Sequence, residues 1–125
     1  MALSLVVPDY DEAIAFYCGI LGFTLTADLP QDGKRWVTVQ PPGGGCQLVL
    51  ARADTPAQQA IIGNQAGGRV WLFLYTDDLM RDHAAWLDAG VVFRETPRHE
   101  AYGKVVVFED LYGNAWDLIE PATGA

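Results

Sequence analysis

The chain states one pattern twice. Leu5-Val6-Val7-Pro8-Asp9 leads into an apolar-striped stretch that runs to Leu21-Gly22-Phe23, and Leu74-Tyr75-Thr76-Asp77-Asp78 leads into another that runs to Gly90-Val91. The aspartates that open the two stretches are 69 residues apart (78 − 9 = 69). Strand-like runs follow each copy, Arg35-Trp36-Val37-Thr38-Val39 in the first and Lys104-Val105-Val106-Val107-Phe108 in the second. A repeat of this size constrains the fold, because each copy must be one strand–helix–strands module with an apolar sheet face to cover. It also supplies two sets of equivalent positions whose chemistry is comparable residue by residue.

Local signals set the elements. Residues 3–7 read as a buried strand, and Asp9 caps a helix with Glu12 three residues on as its capping-box partner. Ala13, Ile14, Phe16, Tyr17, Ile20 and Leu21 recur at helical spacing, and Gly22 fits the helix end. A short strand from Phe23 to Ala27 and a turn at Pro30-Gln31-Asp32-Gly33 are expected, then strands over Arg35–Gln40 and Cys46–Ala51. Thr55 and Pro56 open a short connector helix to Ile62. The second copy reads as a strand from Arg69 to Thr76 and a helix capped by Asp78 with Leu79, His83, Trp86 and Leu87 on one stripe. A strand from Val91 to Glu95, a polar loop from Thr96 to Gly103, and strands over Lys104–Glu109 and Ala115–Ile119 complete it. Each half is therefore β-α-β-β-β, with module 1 at 1–53, a connector at 54–67 and module 2 at 68–121.

Composition narrows the partners. Half of the 125 residues are hydrophobic, which is enough for a packed core. The apolar runs are too short to span a bilayer, and no basic-then-apolar leader is visible. With two cysteines, Cys18 and Cys46, no disulfide framework is expected; a cytoplasmic setting with both buried as small hydrophobes is. A net charge of −8 with scattered Lys and Arg argues against nucleic acid and anionic membrane.

The residues Val6-Val7-Pro8-Asp9-Tyr10-Asp11-Glu12-Ala13, Phe16-Tyr17 and Leu21-Gly22-Phe23, with the ending Glu109-Asp110-Leu111-Tyr112-Gly113-Asn114-Ala115-Trp116-Asp117-Leu118, resemble the vicinal oxygen chelate superfamily of glyoxalases, bleomycin-resistance proteins and extradiol dioxygenases. The resemblance covers essentially the whole chain. It implies an α+β fold in which two β-α-β-β-β modules form a cup-shaped mixed sheet, and a homodimer. It also implies, in the enzymes, one metal ligand from the first strand and one from the last strand of each module. Those positions here are Ala2 and Trp71 (9 − 7 = 2; 78 − 7 = 71), with Gln47 and Asp117 on the last strands. Alanine has no donor atom, and tryptophan offers only an N–H, which cannot ligate a cation. A divalent ion usually takes three or more protein ligands. No cofactor is expected on this basis; a divalent ion on Gln47 and Asp117 is the lesser alternative.

Strand alternation puts Trp71, Phe73 and Tyr75 on the cup face and Val70, Leu72 and Leu74 on the helix side. Ala2, Ser4 and Val6, then Gln47, Val49, Asp117 and Ile119, share the cup face; Trp36 is a further candidate whose parity is open. An apolar, aromatic-lined face with few polar anchors is the usual composition of a small-molecule site. The same aromatics would also suit a filled cup. His99, Glu100 and Tyr102 are candidate acid–base or binding groups, against the plainer reading of a solvated loop.

The expectation is a member of this superfamily that binds a small aromatic or amphipathic molecule through Gln47, Trp71, Phe73, Tyr75, Asp117 and Trp36. The alternatives are a lyase or dioxygenase with a degenerate metal site and a non-catalytic dimeric scaffold.

Overall fold

Pro8 closes the first strand and Asp9 starts the first helix, as the pattern requires. In the computed structural model, which describes residues 1–123, β1 spans Ala2–Val7 and α1 spans Tyr10–Gly19. The Asp9 carboxylate accepts from the Glu12 N–H at 2.8 Å and so satisfies one of the helix's orphan donors. Gly22, at φ 81°, turns the chain out of the helix into β2. β2 (Thr24–Gln31), β3 (Lys34–Gln40) and β4 (Gln47–Arg52) complete a four-stranded sheet in the order β1-β4-β3-β2. β1 and β4 run parallel; the other pairs are antiparallel.

The chain divides into two units, one covering Met1–Gln65 and the other beginning at Ala66. In the first, Leu5, Val7, Val37, Val39, Leu48 and Leu50 pack beneath Ala13, Phe16 and Tyr17 of α1, and all are buried. Tyr17 holds Phe16 and Phe23 in edge-on contacts at 5.4 and 5.2 Å. α2 (Pro56–Ile61), capped by Thr55, follows. Beyond it, the Gln65 amide accepts from the Val6 N–H at 2.7 Å and donates to the Ser4 carbonyl at 3.1 Å. One side chain thus occupies backbone groups on the edge strand β1, which would otherwise invite another strand.

The second unit repeats the plan with one change. β5 (Val70–Tyr75), α3 (Leu79–Asp88) and β6 (Val92–Phe93) are followed by β7 (Arg98–Glu100), β8 (Gly103–Glu109) and β9 (Ala115–Pro121). The sheet order is β5-β9-β8-β6, with β7 also on β8. Asp78 caps α3 through the Arg81 N–H, and the Glu120 carboxylate accepts from the Leu79 N–H at 2.9 Å. Leu74, Val106, Phe108, Trp116 and Leu118 form the core with Leu79 and Trp86 of α3. Phe108 stacks on Trp116 at 5.9 Å, and Trp86 meets Phe108 edge-on at 5.1 Å.

Several boundaries differ from expectation. β2 runs through Pro30 to Gln31 because it is an edge strand, where a missing N–H costs no ladder bond. The strand expected over Val91–Glu95 is only Val92–Phe93, and part of the expected loop is β7, which pairs with β8. Cys18 and Cys46 are free and half-buried, not buried; desolvation pushes the Cys18 thiol pKa up. The ring of His83 lies 4.5 Å from that of Phe93, a packing contact. No helix among the described residues is long and apolar enough to cross a membrane.

Candidate functional site

Residues paired across a ladder point to the same side of a sheet. In module 2 this fixes two rows on the face away from α3. One row is Phe73, Asp117 and Val107; the next is Tyr75, Ile119, Val105 and Arg98. Phe73 and Tyr75 are 56% and 63% exposed, whereas Asp117 is 7% exposed and its Oδ1 has no hydrogen-bond partner. Desolvation raises the Asp117 pKa above the ordinary carboxylate value; nearby Arg98 opposes that shift and Glu95 adds to it.

Glu95 and Arg98 were missed by sequence reasoning. Between β6 and β7 the chain leaves β8, and the Glu95 carboxylate takes the place of a backbone partner by accepting from the Val107 N–H at 3.0 Å. Arg98 fixes that carboxylate with its Nε, 3.1 Å from each Glu95 oxygen, and its Nη1 donates to Glu100. Tyr102 adds a side-chain hydrogen bond to the same guanidinium. Glu100 and Tyr102 therefore belong to one polar cluster around Arg98. His99 alternates to the opposite side, pairing with Lys104, and is exposed. The available signal was Glu95 and Arg98 three residues apart on either side of Pro97, which has no N–H to pair.

Trp71 departs from the alternation expected of it. β5 carries one extra residue between Val70 and Leu72, so Trp71 sits at a bulge. Its ring stands edge-on to Trp116 at 6.0 Å, and Trp116 belongs to the helix-packed face. Phe73 and Tyr75 keep the predicted side.

In module 1 the corresponding row is Ser4, Val49, Thr38 and Ala27. Trp36 alternates onto this same face and is 43% exposed, which settles its parity. Gln47 is here as well, but its polar neighbours are satisfied. The Thr26 hydroxyl lies 2.6 Å from that of Thr38 and donates to the Gln47 carbonyl oxygen at 2.7 Å. The registers also correct the equivalence drawn between Gln47 and Asp117. Ser4 and Thr38 map onto Phe73 and Val107 (4 + 69 = 73; 38 + 69 = 107), and their shared partner is Val49 in one module and Asp117 in the other. The loop before β4 is one residue longer than that before β9 (residues 41–46 against 110–114), which disguised the register. The concavity at the β2–β3 turn, lined by Pro30, Gln31, Asp32 and Lys34, is open to solvent and contains none of the candidate residues.

A family model described as the Glyoxalase/Bleomycin resistance protein/Dioxygenase superfamily matches residues 2–118. The chain belongs to this superfamily. It is 54% identical over 121 residues to a protein of Shewanella frigidimarina (strain NCIMB 400) described only as uncharacterized, covering 94% of this chain and 90% of that one. Among solved structures it resembles UcmS2, with 26% identity, a TM-score of 0.81 and 95% of each chain covered. TnmS3, an antibiotic binding protein from Streptomyces sp. CB03234, is 32% identical with a TM-score of 0.78, covering 97% of this chain and 93% of that one.

The vicinal oxygen chelate fold thus stands, and its metal-ligand positions can be tested on this chain's own donors. Ala2 and Val49 have none, Trp71 is turned onto Trp116, and Asp117 is a single carboxylate. No three His, Cys, Asp or Glu side chains among the described residues come together to hold a metal ion. This donor set does not fit a resident divalent ion, which takes three or more protein ligands.

Proposed function

We propose that this superfamily member binds a small aromatic or amphipathic molecule on the open face of module 2, without a catalytic metal. One observation carries the reading: two exposed aromatic rings of β5, Phe73 and Tyr75, lie beside a buried carboxylate on one sheet face. Flat rings offer broad apolar contact at low entropic cost, and a single polar group among them orients a ligand. The description of TnmS3 as an antibiotic binding protein supports the ligand class. The sparse donor set supports the metal-free part. The exposure of Phe73 and Tyr75 weighs against a scaffold whose face is filled by its own side chains. A cytoplasmic homodimer is the assembly this reading takes, on the resemblance to the superfamily; sedimentation checks it.

Titration with the fluorescent apolar probe N-phenyl-naphthylamine tests the binding. Saturable enhancement is expected, weakened about tenfold when Phe73 and Tyr75 are both replaced by Ala, since each aromatic contact is worth about 0.5–1.5 kcal/mol. No saturation, or a titration that the double variant leaves unchanged, overturns the site. About one divalent ion per chain in protein purified without chelators overturns the metal-free part.

A further inference from the structure

The orphan oxygen of Asp117 says more about the ligand than the aromatic rings do. A buried acceptor without a partner is costly, and native structures rarely leave one unless something else supplies the donor. Arg98 is a cation near enough to act on Asp117, yet it makes no hydrogen bond to Oδ1 and is drawn toward other partners. Its Nε is held by both oxygens of Glu95, its Nη1 by Glu100, and Tyr102 also bonds it. Glu95 is itself fixed by the Val107 N–H, so Arg98 gives up its bonds to an anchored carboxylate if it turns toward Asp117. The rest of the row offers nothing: Phe73 and Val107, the ladder neighbours of Asp117, have no side-chain donor. A carboxylate whose buried Oδ1 has no partner therefore lies beside an exposed aromatic wall, with 7% of the residue's surface still accessible.

We propose that the molecule bound on this face presents an N–H or O–H group on a flat ring and donates it to the Asp117 carboxylate. The inference rests on the binding reading above and adds the polar half of the recognition. Two elements set the geometry. The Phe73 side chain, next to Asp117 across the parallel ladder, gives the ring its surface. The Glu95–Arg98 pair draws the nearest competing donor toward Glu95, which makes Arg98 and Glu95 positioning residues and Asp117 the contact. A hydrogen bond to a charged acceptor in a partly dry site is among the stronger polar contacts, so capping the donor has a large effect.

Three flat probes separate the contributions. Carbazole carries a neutral N–H, N-methylcarbazole has the same outline with the donor capped, and N-methylacridinium carries positive charge with no N–H. Fluorescence titration of the full chain is expected to give carbazole at least a tenfold tighter dissociation constant than N-methylcarbazole. In Asp117→Leu, which removes the acceptor and keeps an apolar filling, that ratio falls to near one. Equal binding of the two carbazoles by the unmodified chain overturns the inference and leaves the binding reading intact. Tightest binding of N-methylacridinium with equal carbazoles also overturns it, since charge and not a donor would then be recognised. Failure of all three to bind sinks both. The wild-type ratio stands by itself if Asp117→Leu does not fold.

Discussion

The two modules share one scaffold and differ in how their polar groups end. In module 1, β2 is an unbroken eight-residue strand, and the polar side chains on the open face satisfy one another through Thr26, Thr38 and Gln47. In module 2 the equivalent strand is broken into β6 and β7, a carboxylate stands in for a backbone partner, and Asp117 is left with an orphan oxygen beside the exposed rings of β5. Duplication copied caps, turns and core. The unpartnered carboxylate and the exposed Phe73 and Tyr75 lie in the copy whose second strand is interrupted.

The sharpest asymmetry is at the start of the third strand. Lys34 in module 1 corresponds to Gly103 in module 2 (34 + 69 = 103). Lys34 has only β2 beside it, whereas Gly103 lies between Glu100 of β7 and Pro121 of β9. Its φ is +144°, and an added Cβ would meet the Glu120 carbonyl oxygen at 2.1 Å. Gly103→Ala is expected to cost about 3 kcal/mol in urea unfolding, from strain plus overpacking. Lys34→Ala, at the end of an exposed hairpin, should fall within about 0.5 kcal/mol of the parent. Equal effects at the two positions would show that the third strand of module 2 is no more crowded than its twin.

Much of the scaffold was legible, for reasons that Asp9 and Asp78 illustrate. A capping aspartate, a helical apolar stripe and a closing glycine act over a few residues and leave their mark in sequence. The superfamily ending from Glu109 to Leu118 added the topology. What escaped was set across strands. That Val49 and not Gln47 matches Asp117 depends on a one-residue difference between loops. The bulge that turns Trp71 onto Trp116 has no local sequence signal. Glu95 reads as the end of a strand, and its bond to Val107 joins residues twelve apart. Phe73 and Tyr75 were placed on their face by alternation alone, which survives wherever a strand is regular; the parity of Trp36 came from the register of β3.

Removing the stand-in carboxylate sharpens the comparison at the broken strand. Glu95→Ala leaves the half-buried Val107 N–H without that acceptor and removes one of the two carboxylates that hold Arg98. A loss of about 2 kcal/mol is expected from urea unfolding, since an unsatisfied buried donor costs about 1–3 kcal/mol. Gln31→Ala, on the unbroken edge strand of module 1, should change stability by no more than about 0.5 kcal/mol. The freed guanidinium then competes for Oδ1 of Asp117, so the same Glu95 variant should lose most of the preference for carbazole over N-methylcarbazole. Retention of both stability and preference would mean that the cluster neither supports β8 nor guards the acceptor.

The smallest expected effect has opposite signs in the two modules. Burial raises the Asp117 pKa in the folded chain, so the folded state keeps a proton over a pH range where the unfolded chain, near 3.9, has lost it. Stability associated with Asp117 therefore falls as pH rises from the unfolded value through the folded one, and the full penalty is present above the folded value. Asp117→Asn should stabilise the chain by about 1 kcal/mol at neutral pH, with the gain fading to nothing below the unfolded value. Asp28 in module 1 is the reverse case. Its hydrogen bonds to Arg35, at 3.0 and 2.8 Å, hold its pKa below the ordinary carboxylate value. Its contribution is present above the unfolded value and is lost as pH falls through the folded one. Asp28→Asn should therefore weaken the chain slightly at neutral pH, because the pair is solvent-screened, and converge with the parent in acid. Thermal unfolding of both variants across pH reads the two signs side by side. A destabilised Asp117→Asn at neutral pH would mean that the carboxylate is already satisfied in the unliganded protein, and the open acceptor would be lost with it.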